Sequence, residues 1–181
     1  MVDTAYSPGE WGNFAIGLTT AGGALTGLVF VAVSVRVNDV LGDAFHRRRA
    51  ESTFVILLST LTASLLLLVP SQGRVAVGIE ILLIGAVLVY RAVHTWPIVR
   101  SSLRREAVFS YAVGIFAHVL LCLGAISLLA QIAGGLYIVA GALVLELVRA
   151  LSDIWVLFSG IPAIGPKETS AAADRGASGA E

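Results

Sequence analysis

Charged side chains are scarce in this sequence. Only 13% of its 181 residues are Asp, Glu, Lys or Arg, whereas 57% are hydrophobic. Soluble domains carry roughly 25% charged and 45 to 50% apolar residues. The mean hydropathy of +0.89 points in the same direction. This composition excludes an ordinary water-soluble globular domain and predicts a protein embedded in a lipid bilayer.

Cysteine and the common catalytic motifs are also lacking. Cys122 is the single cysteine, which rules out an intrachain disulfide. No GxxxxGK[ST], HExxH, GxSxG or CxxC pattern occurs, so nucleotide hydrolysis, zinc proteolysis, serine hydrolysis and dithiol exchange lack their minimal residues. The 3 histidines, at positions 46, 94 and 118, offer no pair at one depth for bis-imidazole haem ligation. We expect no enzyme activity, catalytic residue, metal, cofactor or nucleic-acid partner.

The N-terminal segment has no basic residue. Residues 1–10, MVDTAYSPGE, carry Asp3 and Glu10 but neither Lys nor Arg. A cleavable signal peptide begins with a positively charged region. We therefore expect the first apolar segment to remain in the protein.

Long apolar stretches are what the sequence has in abundance. Five of them are long enough to cross about 30 Å of hydrocarbon at about 1.5 Å per residue. They cover residues 14–35, 53–69, 75–93, 107–130 and 136–158. The fold predicted is an all-α bundle of five transmembrane helices, forming a single domain over residues 1–164. The small, polar residues of 165–181 predict a disordered cytoplasmic tail.

Arginine is distributed unevenly over the connections between these stretches. It is frequent between the first and second and between the third and fourth, whereas the other two turns hold Arg74 or no arginine at all. Basic connections stay in the cytoplasm, so we predict an outside N-terminus and a cytoplasmic C-terminus. Both basic connections have amphipathic patterns, which favour contact with lipid headgroups or, alternatively, docking of a cytoplasmic partner. The arginines predicted to contact headgroups are Arg47, Arg48, Arg49, Arg100, Arg104 and Arg105.

The first apolar stretch contains a row of small residues. Thr19, Gly23 and Gly27 recur at four-residue spacing and include a GxxxG motif. This motif allows two transmembrane helices to approach closely. We predict that this face packs against another helix, either of the same chain or of another subunit in an oligomer.

A resemblance to a known family is carried by the same stretch. AGGALTGLVFVAVSVRVN, which follows Trp11 and Phe14, resembles the opening span of a family of small, mostly uncharacterised multi-pass membrane proteins of actinobacteria. The resemblance implies a bacterial plasma membrane protein, and the basic residues, nearly all arginine, agree with it. It brings no catalytic residues. It also implies one alternative function, that of a modulator of a membrane-bound AAA protease.

The last apolar stretch carries three charged residues. In LVLELVRALSDIW, Glu146, Arg149 and Asp153 fall within about 60° of one another at about 100° per residue. A charge at the bilayer centre costs roughly 2.5 to 3.5 kcal/mol on insertion scales. We therefore predict that the three side chains face the interior of the bundle. Their i, i+3 and i, i+4 spacings let Arg149 pair with both carboxylates.

Two further stretches supply polar residues that could join this group. His118 is predicted at the depth of Glu146, because a very short turn makes the last two spans antiparallel neighbours. In the third stretch, Glu80 lies near the outer surface, and Arg91 and His94 lie near the inner one. The predicted intramembrane polar cluster comprises Glu80, His118, Glu146, Arg149 and Asp153.

Two interpretations of this polar cluster stay open. In the first, its ion pairs fix the rotation of the helices, and the protein is a non-enzymatic accessory or scaffold subunit that packs with itself or with another membrane protein. In the second, the ionisable groups form the path of a small proton or ion channel or a proton-coupled transporter. The discriminating observation is whether the polar stripes converge on a continuous cavity or are closed by side chains.

Overall fold

The computed structural model describes residues 4–35, 44–101 and 105–159, and these residues form helices and turns without a strand. Two short 3-10 turns, Thr4–Tyr6 and Pro8–Trp11, come first. Five long helices follow: α1 (Gly12–Val35), α2 (Ala44–Leu67), α3 (Arg74–Ser101), α4 (Arg105–Ala130) and α5 (Gly135–Ser159). The predicted tail, residues 165–181, and the amphipathic pattern before α2 lie outside the described residues.

Each of the five helices is long and apolar enough to cross a membrane. The mean hydropathy of their most apolar windows lies between 1.7 and 2.3. Helices suit such sequences because hydrocarbon offers no water to bind backbone N–H and C=O groups, so these groups must pair within the segment. The predicted all-α architecture with five spans is confirmed.

Helix α5 occupies the centre of the bundle. It packs extensively against α4 on one side and against α2 on the other, while α3 packs on α4 and α1 packs on α2. The order of the helices in space is therefore α3, α4, α5, α2 and α1. We call the end at which α2 begins the Arg49 end, and the opposite end, at which α3 begins, the Glu80 end.

The N-terminal turns cover the Glu80 end of the bundle. The Trp11 ring lies edge-on against Tyr137, with centroids 4.9 Å apart. The hydroxyl of Tyr6 accepts a hydrogen bond of 3.0 Å from the backbone N–H of Gly134, in the turn between α4 and α5. Gly134 has a φ of 73°, a left-handed conformation that glycine adopts without steric cost.

Close helix contacts are made by glycines of α3 and α4. A Cβ built on Gly78 would lie 2.7 Å from Leu129 Cδ2, and one on Gly124 would lie 2.8 Å from the backbone N of Val139. The close atom at Gly124 belongs to the backbone, so a methyl group does not fit there, and the absence of a side chain sets the spacing between α4 and α5. At Gly78 the close atoms belong to the side chain of Leu129, which packs over the glycine.

Of the two packing alternatives for the GxxxG motif of α1, packing against another helix of the same chain is not found among the described residues. Gly23 and Gly27 are exposed, and a Cβ at either one would meet no described atom within 4 Å. The reason is the rotation of α1, which buries the side that includes Leu18 and Val29. Thr19 lies at the edge of that side and donates a hydrogen bond of 2.8 Å to Ser64. Packing of the two glycines against another subunit stays a prediction.

Candidate functional site

The charged residues of α5 lie on its buried side. Glu146 is 1% exposed, Asp153 3% and Arg149 8%. Val148 and Trp155, on the opposite side, are 56% and 72% exposed. The helix thus turns its charges into the bundle and an apolar surface outward, as the spacing of the residues predicts.

Helix α4 places His118 against these charges. His118 is buried, and its Nδ1 contacts Oε1 of Glu146. This is the neighbour that the antiparallel arrangement of the last two spans predicts. The hydroxyl of Ser110, on the same helix, lies 3.3 Å from Oδ1 of Asp153.

Gly114 makes room for the arginine at the centre of the site. The guanidinium of Arg149 occupies the space in which a Cβ of residue 114 would lie. Only glycine leaves this space open on α4, so the residue decides whether Arg149 can sit between the helices. Sequence reasoning missed this role, although Gly114 falls on the same helical stripe as His118.

Helix α2 contributes Arg49, which the sequence pattern predicts at the lipid headgroups. Its NH2 atom instead donates a hydrogen bond of 2.7 Å to Oδ1 of Asp153, and the arginine side chain is only 16% exposed. The reason for the correction is that a buried carboxylate offers a charge-assisted hydrogen bond. Arg47 and Arg48 are exposed. The side chains of Arg100, Arg104 and Arg105 lie outside the described part of the chain.

A signal for Arg49 is present in the sequence of α2. The buried side of this helix includes Thr53, Ile56 and Thr60, and the hydroxyl of Thr53 donates a hydrogen bond of 2.9 Å to the backbone carbonyl of Arg49. Extending the helical period backwards from Thr60 through Thr53 leads to Arg49. It therefore differs from its exposed neighbour Arg48 by its place on the inward stripe.

Arg149 lies between the two carboxylates of its own helix without touching either. Its NH1 atom is 3.8 Å from Oε2 of Glu146, and its Nε atom is 3.9 Å from Oδ2 of Asp153. Both distances are those of ion pairs and exceed the 2.7 to about 3.2 Å of an N–H···O hydrogen bond. The arginine therefore compensates both negative charges through space.

These five residues, Arg49, His118, Glu146, Arg149 and Asp153, are called the charge cluster below. Two arginines face two carboxylates, so the formal charge is zero while His118 is neutral. The three charges of α5 alone sum to minus one, and Arg49 supplies the missing positive charge. The cluster joins α2, α4 and α5 through side chains that are removed from lipid.

Glu80 does not join the charge cluster. Its Oε2 accepts a hydrogen bond of 2.6 Å from Gln72 at the Glu80 end. Arg91 and His94 are exposed, and the His94 ring lies edge-on against Tyr90. The predicted polar cluster is thus divided, and Glu80 stands apart from the other four residues.

Apolar side chains fill the bundle between Glu80 and the charge cluster. Leu121 and Leu128 of α4 and Leu136 and Leu143 of α5 are each at most 1% exposed and belong to one core. Ile81 of α3, next to Glu80 in sequence, belongs to the same core. Within the described residues, the polar stripes of α3, α4 and α5 are therefore closed by side chains.

Compared with models of protein families, with curated proteins and with solved structures, the chain matches none of them. Inference about its function therefore rests on the fold and on the geometry of the charge cluster.

Proposed function

We propose that this protein is a non-enzymatic accessory or scaffold subunit of a bacterial plasma membrane, which packs with itself or with another membrane protein. Its N-terminus lies outside and its C-terminus in the cytoplasm. The observation that carries the proposal is the apolar core that separates Glu80 from a charge-compensated cluster. Both features are expected of a helical bundle that keeps one rigid structure.

The apolar core argues against conduction through this chain. An ion or a proton that crossed from Glu80 to Glu146 would pass Leu128 and Leu143, which are 0% and 1% exposed and pack in one core. Hydrocarbon side chains offer no ligand to replace the water shell of an ion. A channel or transporter needs polar groups or water along the whole route.

The pairing of the cluster supports a role in holding helices together. Helices in a bilayer lack a hydrophobic driving force for association, so packing and interhelical polar contacts must hold them. Arg49 of α2 and Asp153 of α5 are 104 positions apart in sequence and form a hydrogen-bonded ion pair of 2.7 Å. Such a contact holds α2, in the first half of the chain, against α5, in the second half.

The outward side of α1 supports a role in association. Only 22% of its most apolar window is buried, compared with 33 to 44% in the other four spans. Gly23 and Gly27 leave bare backbone on that side. A helix of a second subunit can approach such a surface closely.

Two measurements in lipid vesicles test the proposal. Purified protein should give no proton or potassium flux above that of vesicles without protein. Labelled copies should show energy transfer with one another, or with a copurified membrane partner, and Gly27→Leu should weaken it. Gly141→Leu is the matched control, because Gly141 is an exposed glycine of α5 with no described atom within 4 Å of its built Cβ. Flux above the background, or equal association of both variants and wild type, would contradict the proposal.

A further inference from the structure

The charge cluster contains a histidine and a carboxylate that face each other in the interior of the bundle. Nδ1 of His118 contacts Oε1 of Glu146, and the two side chains are 7% and 2% exposed. Nδ1 lies against the carboxylate, and the second nitrogen of the ring is left to take up or release a proton. The pair therefore has the chemistry of a proton-binding site.

Buried polar atoms around Arg149 and Glu146 have unused hydrogen-bonding capacity. NH1 and Nε of this residue and both carboxylate oxygens of Glu146 are buried, and they have no aligned hydrogen-bond partner among the described residues. Arg149 stands 3.8 Å from Glu146 and 3.9 Å from Asp153. A water at this point can accept from the guanidinium and donate to a carboxylate, which satisfies groups that are costly to leave unpaired.

Beyond Arg149, charged side chains continue towards the Arg49 end. Towards the Arg49 end, Asp153 contacts both Ser110 and Arg49, whose side chain is 16% exposed. Towards the Glu80 end, the neighbours Leu143 and Leu121 are each 1% exposed and belong to the apolar core. The Arg49 end is therefore the side from which a proton has a polar route to the pair.

We propose that His118 and Glu146 form an exchangeable proton-binding site inside the bundle, assisted by water at Arg149 and open to the Arg49 end alone. Proton uptake forms one N–H bond on the imidazole ring and changes the formal charge of the cluster from zero to plus one. The proton comes from water at the Arg49 end and returns to it. The site is independent of the accessory role, because it needs neither a partner nor passage across the membrane.

The charged and titratable groups around the pair come from the neighbouring helices. Besides Arg149 and Asp153 of α5 itself, α2 contributes Arg49, and α4 contributes Tyr111 and Cys122 on the stripe of His118. Helix α1 carries no titratable side chain. Helix α3, which packs behind α4, carries Arg74, Glu80, Tyr90, Arg91 and His94 within its described side chains.

The test uses the full chain with His46→Gln and His94→Gln, so that His118 is the only histidine. The protein is labelled with 15N in the imidazole ring and reconstituted in lipid vesicles that are separated by protein orientation. Nitrogen NMR distinguishes the neutral from the charged ring. We expect the His118 ring to change between these states when the external pH is lowered from a mildly alkaline to a mildly acidic value. Vesicles with the Arg49 end outward should follow the external pH, and the opposite orientation should follow it only after a protonophore is added.

A second measurement identifies Glu146 as the partner of the ring. Glu146→Gln should change the Nδ1 signal of His118, whereas Glu80→Gln, the matched control at the other end of the bundle, should leave it unchanged. If Glu146→Gln does not fold, the pH titration in oriented vesicles, in which Glu146 is unchanged, still tests the proposal. A ring signal that is constant over the pH range, that follows the pH at the Glu80 end, or that is unchanged in folded Glu146→Gln overturns the proposal.

Discussion

Gly114→Ala tests whether the position of Arg149 against α4 requires a glycine at residue 114. The substitution adds one methyl group at the position that the guanidinium occupies, where Nε of Arg149 would lie 2.9 Å from the new Cβ and other atoms closer still. The arginine must then withdraw from between Glu146 and Asp153. Such a change resembles the breaking of a buried ion pair more than an ordinary change of helix propensity.

The magnitude follows from two opposing effects. Removing a partner from a buried ion pair costs about 3 to 5 kcal/mol, and displacement of Arg149 belongs at the low end, since the charge stays in the protein. Replacing glycine by alanine in a helix raises the free energy of unfolding by up to about 1 kcal/mol. We expect a net loss of about 2 kcal/mol, which corresponds to a fall in Tm of about 4 to 8 °C for a chain of this size.

The assay is thermal unfolding in mild detergent, followed by tryptophan fluorescence. Gly141→Ala is the control, because the built Cβ of Gly141 meets no described atom within 4 Å. This variant should melt at or slightly above the wild-type temperature. If Gly114→Ala and Gly141→Ala were equally stable, Arg149 would not depend on the space above Gly114, and the geometry of the charge cluster would be wrong.

Three further predictions concern Arg149, the exposed glycines of α1 and the membrane topology. Arg149→Leu leaves Glu146 without its neighbouring arginine, whereas Asp153 keeps its hydrogen bond to Arg49. This change should lower membrane-inserted yield and Tm more than the double change Glu146→Gln with Arg149→Leu, whereas additive losses would count against a shared pair. Gly27→Leu should leave the Tm of the isolated monomer unchanged while Gly124→Leu lowers it, and equal losses would mean that α1 is rotated differently. Reporters fused to the two termini should signal opposite sides of the membrane, and signals from one side would contradict the charge bias of the connections.

The number of spans and the inward side of α5 were predictable because each follows from a local pattern. The length of an apolar run decides whether a helix can cross the bilayer. The spacing of Glu146, Arg149 and Asp153 places them on one side of a helix, and the cost of exposing charge to lipid decides that this side faces inward.

The pairing of Arg49 and the rotation of α1 were not predictable in the same way. The inward stripe of α2 distinguishes Arg49 from its neighbours but does not identify its partner, and Asp153 becomes known as that partner only when α2 and α5 are brought together. Helix α1 is apolar on all sides, so the glycine motif alone does not decide which side packs inward. Gly114 acquires its role from Arg149 on another helix. In each case a contact between helices decides where the residue packs, and the local sequence is compatible with more than one such contact.

The central claim is that the charge cluster fastens α2 to α5, and a double-mutant cycle of Arg49→Leu and Asp153→Asn tests it most directly. The pair is hydrogen-bonded at 2.7 Å, and its side chains are only 16% and 5% exposed, so we predict a coupling free energy of about 1 to 3 kcal/mol in thermal or denaturant unfolding. The control cycle uses Arg47→Leu and Glu51→Gln, a pair at 3.9 Å whose side chains are 50% and 63% exposed, and its coupling should be close to zero. Coupling in the Arg49 cycle no larger than in the control cycle would contradict the claim.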